Sequence, residues 1–156
     1  MCITDTALLV SARDAGLPLP AAAVVMSPWV DLTLSGESLH AKEQDDAVFD
    51  AADIAQYAAQ YLDGHDPADP LASPVLADLT GLPPLLVQVG TNEVLLDDAT
   101  RLVARAAAAH VDVTFEVVAR APHVFQHFAH RLDEARRALD TAGRFLARHL
   151  SGGHVH

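Results

Sequence analysis

Residues 21–26 (AAAVVM) form a compact apolar run, closed by Pro20 before it and by Ser27-Pro28 after it. The run lacks polar alternation, which predicts a strand buried on both faces, as in a parallel sheet. Residues 85–89 (LLVQV) make a second such run that stops at Gly90, and residues 111–118 (VDVTFEVV) predict a third strand. Elsewhere the apolar spacing turns helical. Asp50 reads as the N-cap of a helix reaching residue 62, with Ile54, Tyr57, Ala58 and Tyr61 on one face. In residues 95–110, Leu95, Ala99, Leu102, Val103 and Ala106 share a face. Asp97 and Asp98 occupy the first turn and His110 the last, the order a helix dipole favours. A final amphipathic helix is predicted over 132–150, with Leu132, Ala135, Leu139, Ala142 and Leu146 inward. A first helix, about 5–15, ends at Gly16 and Leu-Pro-Leu-Pro. Two stretches carry no period: a polar segment at 32–44, and residues 65–84 with Pro67, Pro70, Pro74, Pro83 and Pro84. The latter predicts a long ordered loop or a stack of turns.

Strand, loop, helix, strand, loop over residues 85–123 is a βαβ unit, and both of its polar loops lie at the carboxyl ends of parallel strands. Ligands and catalytic groups gather at that edge in open sheets. The first loop holds Glu93 and the second holds His123, 30 residues later. One helix and one strand fill the interval and return the chain to the same edge. Glu93 can there accept the Nδ1 proton of His123, fix its tautomer and stabilise the imidazolium. Spacing alone leaves a second option open, in which Glu93 merely starts a helix and His123 is a loop histidine. Trp29, beyond the first strand, either packs in the core or lines a substrate site on that edge.

Composition narrows the classes. At 156 residues the chain is long enough for one domain with a real core, expected over residues 1–150, with a disordered tail (SGGHVH) at 151–156. Hydrophobic residues make up 51% and aromatics only 5%, which suits a helix-rich α/β protein packed with small residues. The net charge of −11 repels phosphate backbones and disfavours nucleic-acid binding. No apolar run reaches the length of a membrane span, and the N-terminus lacks a signal-peptide pattern, so a cytoplasmic location is expected. One cysteine, Cys2, excludes an internal disulfide and a thiolate-rich zinc site. His123, His127 and His130 are close in sequence, but no carboxylate or cysteine completes a ligand set and Pro122 argues against a continuous helix. No metal and no cofactor are expected, beyond adventitious binding by His154 and His156 in the tail.

The runs LPPLLVQVGTNEVLLDDATRLVARAAAAHVDVTFEV and PHVFQHF, together with LPLPAAAVVMSPWVDLTLSGES and DPLASPVLADL, resemble the C-terminal half of hormone-sensitive-lipase-like bacterial carboxylesterases. That resemblance covers nearly the whole chain and implies a partial α/β-hydrolase fold: about three parallel strands flanked by helices, without the N-terminal half of the sheet. It implies a Ser–acid–His triad acting on small acyl esters, with His123 of PHVF as the histidine and Glu93 of NEVLLDD as the acid. Asp97 is the fallback acid, although a helix starting at residue 95 points it away from His123. The family's Gly-x-Ser-x-Gly nucleophile elbow is not in this sequence; counting back, it falls at or just before Met1. Cys2 lies near that place, but a terminus without an elbow cannot hold a thiol in attack geometry. The expectation is therefore a fragment of an ester hydrolase, inactive alone. The alternative is a non-catalytic interaction module or pseudoenzyme that self-associates through an open sheet edge.

Overall fold

A computed structural model describes residues 4–151. The expectations for Cys2, for His154 and His156, and for a disordered tail over 152–156 fall outside those residues; Ser151, assigned to that tail, is instead the last residue of a helix, its hydroxyl donating to Ala147 O (2.7 Å). The element order is α1 (Thr4–Asp14), β1 (Ala23–Met26), α2 (Ser38–Ala41), α3 (Ala51–Leu62), β2 (Leu85–Gly90), α4 (Leu96–Ala108), β3 (Val113–Val118) and α5 (Asp133–Ser151). Short 3-10 turns occur at Pro74–Leu76 and Phe125–Phe128. The strands form one parallel sheet in the order β1-β2-β3.

Side chains alternate across this sheet. Val25, Leu85, Val87 and Val89 pack with Leu9 and Val10 of α1 and with Ala99, Leu102 and Ala106 of α4. Val24, Met26 and Leu86 face the other way, onto Ala142 and Phe145 of α5. With helices on both faces, β2 is buried along its whole length, which is why its sequence shows no alternation. β1 is less enclosed than its sequence suggests: only Val25 is fully buried. Gln88, the one polar residue of β2, donates to Glu116 Oε2 (2.7 Å) and to the carbonyl of Ala138 (2.8 Å), and accepts from Gln126 Nε2 (3.0 Å). A fully buried amide is tolerated because its donors and acceptor are matched.

Several predicted bounds and faces move, each for a local reason. β1 starts at Ala23 rather than residue 21. Its first ladder bond runs from Ala23 N to the carbonyl of Pro84, and proline has no N–H to extend the ladder. β3 starts at Val113 because Val111 N still closes α4 by donating to Ala106 O (3.0 Å), after His110 has turned into the left-handed region (φ 60). On α5 the buried stripe is Ala135, Ala138, Ala142 and Phe145, and Leu139, expected inside, is 40% exposed. Small residues let the helix lie close to the sheet. On α3, Ile54 and Ala58 are buried while Tyr57 and Tyr61 are exposed; the helix begins with a reciprocal capping box between Asp50 and Asp53.

The segment after β1 is pinned by acid groups of α4. Asp98 Oδ2 accepts from Val30 N (2.8 Å) and Asp31 N (2.9 Å), and Arg101 bridges Asp31 Oδ2 (2.8 Å) and Asp98 Oδ1 (3.2 Å). Burial pushes the Asp98 carboxyl up to about 6, against the pull of the Val30 amide and the Arg101 charge. Burial also raises Asp31, but hydrogen bonds from Ser35, Thr33 and Arg101 outweigh it and hold that carboxyl at about 2. These shifts have opposite consequences. Asp98 binds its proton more tightly folded than unfolded, so its contribution to stability is complete below 3.8 and is lost as pH rises through about 6. Asp31 contributes above 3.8 and loses that contribution as pH falls toward about 2. Asp98→Asn should therefore flatten the melting temperature between pH 3.8 and 6 relative to the parent chain, and leave the loss toward pH 2 in place. Parallel melting curves of the two proteins across that interval would contradict the assignment.

Candidate active site

Three loops meet at the carboxyl edge of the sheet: the one after β1 supplies Ser27, the one after β2 supplies Gly90 to Glu93, and the one after β3 supplies Ala121 to Val124. Backbone bonds zip the last two together. Thr91 N donates to Val118 O (2.9 Å) and Asn92 N to Ala121 O (3.2 Å), while Arg120 N donates to Thr91 Oγ1 (2.7 Å). Such close approach depends on Gly90. A Cβ built there meets the carbonyl oxygen of Ala121 at 2.1 Å.

Within this frame His123 Nδ1 lies 2.9 Å from Glu93 Oε2. A carboxylate accepts, so Nδ1 carries the hydrogen, and in the neutral ring Nε2 presents its lone pair. Glu93 is 0% exposed and His123 is 7% exposed. The other carboxylate oxygen, Oε1, accepts from Gly90 N (2.6 Å) and from the Ser27 hydroxyl (2.8 Å). The Ser27 oxygen in turn accepts from Val124 N (3.0 Å). Phe49 sets its ring edge-on to the imidazole, with centroids 5.1 Å apart at 74°. His123 Nε2 is buried and has no hydrogen-bond partner among the described residues. The arrangement is chemically specific: the imidazole is locked in one tautomer, backed by a carboxylate, with its basic nitrogen uncommitted.

Of the residues singled out from sequence, the structure brings Glu93 and His123 together and leaves Asp97 apart. Asp97 Oδ2 accepts from Ser38 N (2.8 Å), so the fallback acid caps α2 instead. Trp29 is 0% exposed. It packs with Leu32, Leu39, Ile54, Val94 and Leu95, and its indole N–H donates to Asp31 O (3.1 Å). In this chain Trp29 therefore packs as a core side chain. His127 and His130 are exposed while His123 is buried, and the three do not share a face.

Sequence reasoning missed Ser27, Phe49 and Asp46. Asp46 reaches both sides of the site: Oδ2 accepts from Val94 N (2.8 Å), and Oδ1 accepts from Val48 N (2.8 Å) and Phe49 N (3.1 Å). It thereby ties the segment carrying Phe49 to the residue after Glu93. Ser27 had one available signal, its place immediately beyond a parallel strand. Phe49 and Asp46 had none, since they reach the site from a stretch without periodicity. Val124 adopts φ 46, costly for a β-branched residue by about 1–2 kcal/mol. Such outliers persist where surrounding bonds over-determine the backbone.

Comparison with known proteins agrees with this fold. A family model described as the alpha/beta hydrolase fold matches residues 5–127. An acetyl-hydrolase of Streptomyces hygroscopicus is 50% identical over 140 residues, covering 90% of this chain and 47% of that protein. An esterase of Acinetobacter venetianus is 39% identical over 147 residues, covering 92% of this chain and 48% of its own. The crystal structure of an esterase from the bacterial hormone-sensitive lipase family superimposes with a TM-score of 0.90 at 49% identity, over 92% of this chain and 48% of that one. The chain belongs to the α/β hydrolase fold family, is similar to its hormone-sensitive-lipase-like esterases, and spans about half the length of the curated relatives it matches.

Proposed function

We propose that this chain carries the acid–histidine half of a carboxylic ester hydrolase, with His123 as general base and acid and Glu93 as the group that orients it. The observation that carries the proposal is the 2.9 Å contact between His123 Nδ1 and Glu93 Oε2, with Nε2 left uncommitted. The reaction would use a serine from outside these 156 residues, because no serine here stands in a Gly-x-Ser-x-Gly frame. Nε2 would take the hydroxyl proton as the serine oxygen attacks the ester carbonyl. The resulting imidazolium, paired with Glu93, would return that proton to the departing alcohol. Water would then release the acyl group by the same route, with His123 as base. Esterase and acetyl-hydrolase relatives support a small acyl ester as substrate.

In this proposal the 156-residue chain does not turn over ester by itself, since an acid–histidine pair supplies neither attacking atom nor oxyanion donors. The test uses p-nitrophenyl acetate. The purified chain should give background hydrolysis. Joined behind an upstream hydrolase half that carries a nucleophile elbow, it should give turnover that falls by about 10⁶ in His123→Ala. Hydrolysis by the isolated chain that His123→Ala removes would overturn the inactivity claim. Joined-protein turnover indifferent to His123 would overturn the role of the pair.

A further inference from the structure

We propose that Ser27 is a positioning residue for the acid–histidine pair: its hydroxyl fixes the Glu93 carboxylate and the backbone beside His123 in one relative placement. The inference rests on the reading of Glu93 and His123 given above. Ser27 is 2% exposed and sits at the end of β1, with its own N–H donating to Gln88 O of β2 (2.7 Å). Its side chain touches both partners of the pair's support. The proton direction follows from the neighbours. Val124 N can only donate, so the Ser27 oxygen accepts there (3.0 Å), and the single hydroxyl proton is left for Glu93 Oε1 (2.8 Å). The same bookkeeping excludes Ser27 as the nucleophile, since its proton goes to the acid and not to His123 Nε2.

Two further observations point the same way. Ser27 (φ 47) and Val124 (φ 46) both occupy the left-handed region, and the hydrogen bond from Val124 N to Ser27 Oγ joins these two unfavourable backbones. The Ser27 hydroxyl also closes a ring of contacts through Glu93, His123 and Val124. Within that ring, rotation of the carboxylate away from Nδ1 would break the bond from Ser27 as well. The three strand ends are thus tied at one oxygen, and the His123 tautomer is the quantity that oxygen protects.

The test reads the His123 ring nitrogens and the Nδ1–H proton by NMR in the 156-residue chain, for the parent, Ser27→Ala and Ser27→Gly. The parent should show a single Nδ1–H tautomer with a low-field, slowly exchanging proton. Both variants should show mixed tautomers and exchange with water faster by roughly tenfold, the scale of losing one net hydrogen bond. Glycine accepts a positive φ without strain, so it isolates the hydroxyl from the backbone and serves if the alanine variant does not fold. Variants that melt earlier but keep the parent's tautomer and exchange rate would overturn the proposal in favour of a packing role. A glycine variant indistinguishable from the parent would likewise overturn it. A parent chain without the Nδ1–H tautomer would instead remove the acid–histidine reading, and this inference with it.

Discussion

Gly90→Ala is expected to destroy the Glu93–His123 contact and to lower stability by about 1–3 kcal/mol or more. The added Cβ would lie 2.1 Å from the Ala121 carbonyl oxygen and 2.6 Å from its carbon. Both atoms are backbone, so no rotamer change relieves the overlap. The loop carrying His123 has to move outward, and that movement breaks the Asn92 N to Ala121 O bond at the same place. It also disturbs Gly90 N, which donates to Glu93 Oε1 at 2.6 Å. One methyl group thus displaces both partners of the pair. Gly143→Ala is the control: nothing lies within 4 Å of a Cβ there, and alanine in α5 should stabilise by about 0.5–1 kcal/mol. Thermal melting of the two variants, with the His123 Nδ1–H signal as the second readout, checks the claim. A Gly90→Ala chain that melts with the parent and keeps the signal would refute it.

Glu93→Gln should cost a joined, active enzyme about 10⁴ in kcat with little change in KM, the scale seen when a triad acid becomes an amide. The substitution conserves shape and removes only acceptor capacity. Glu93 now accepts three times, from Gly90 N and the Ser27 hydroxyl at Oε1 and from His123 Nδ1 at Oε2. Glutamine offers one oxygen and one NH2, so whichever way the amide turns, a donor meets a donor. Either the Gly90 amide and the Ser27 hydroxyl lose their acceptor, or Nδ1 must shed its hydrogen to accept from the amide. The second outcome moves the proton to Nε2 and disables the base. In the isolated chain the same change should appear as a tautomer switch at His123, with about 1–3 kcal/mol of stability lost if the buried donors stay unpaired. Turnover within tenfold of the parent would show that Glu93 does not orient the histidine.

The pair itself was legible because it depends on counting. One helix and one strand separate Glu93 from His123, and a parallel βαβ unit returns its loops to the same edge whatever else the molecule does. The two-sided burial of β2 could be read from its lack of alternation, and the start of α3 from Asp50, a residue type that caps helices. Local chemistry specified each of these. The difference between Glu93 and Asp97 was nearly legible, as Glu93 lies in the loop at the strand end while Asp97 already belongs to the first turn of α4.

Other features depend on partners far along the chain. Ser27 meets Glu93 across 66 residues and Val124 across 97, and Asp46 meets Val94 across 48. No period or motif marks such pairs, because each residue's own surroundings in sequence are those of an ordinary turn. The inward face of α5 likewise shifted from Leu139 to Ala138 and Phe145, since helical periodicity defines a stripe only to within a neighbouring row. The distance to the sheet then selects the smaller side chains.

By itself the sequence determined the order of the three strands and of α1, α3, α4 and α5, and it brought Glu93 and His123, the two residues proposed to bear the proton chemistry, to one edge, since these follow from local spacing. Only the tertiary structure decided that Trp29 is core, that Asp97 caps α2, and that Gly90 must lack a side chain. Those outcomes depend on which atoms arrive within a few ångströms once distant loops close on one another, and that is a property of packing.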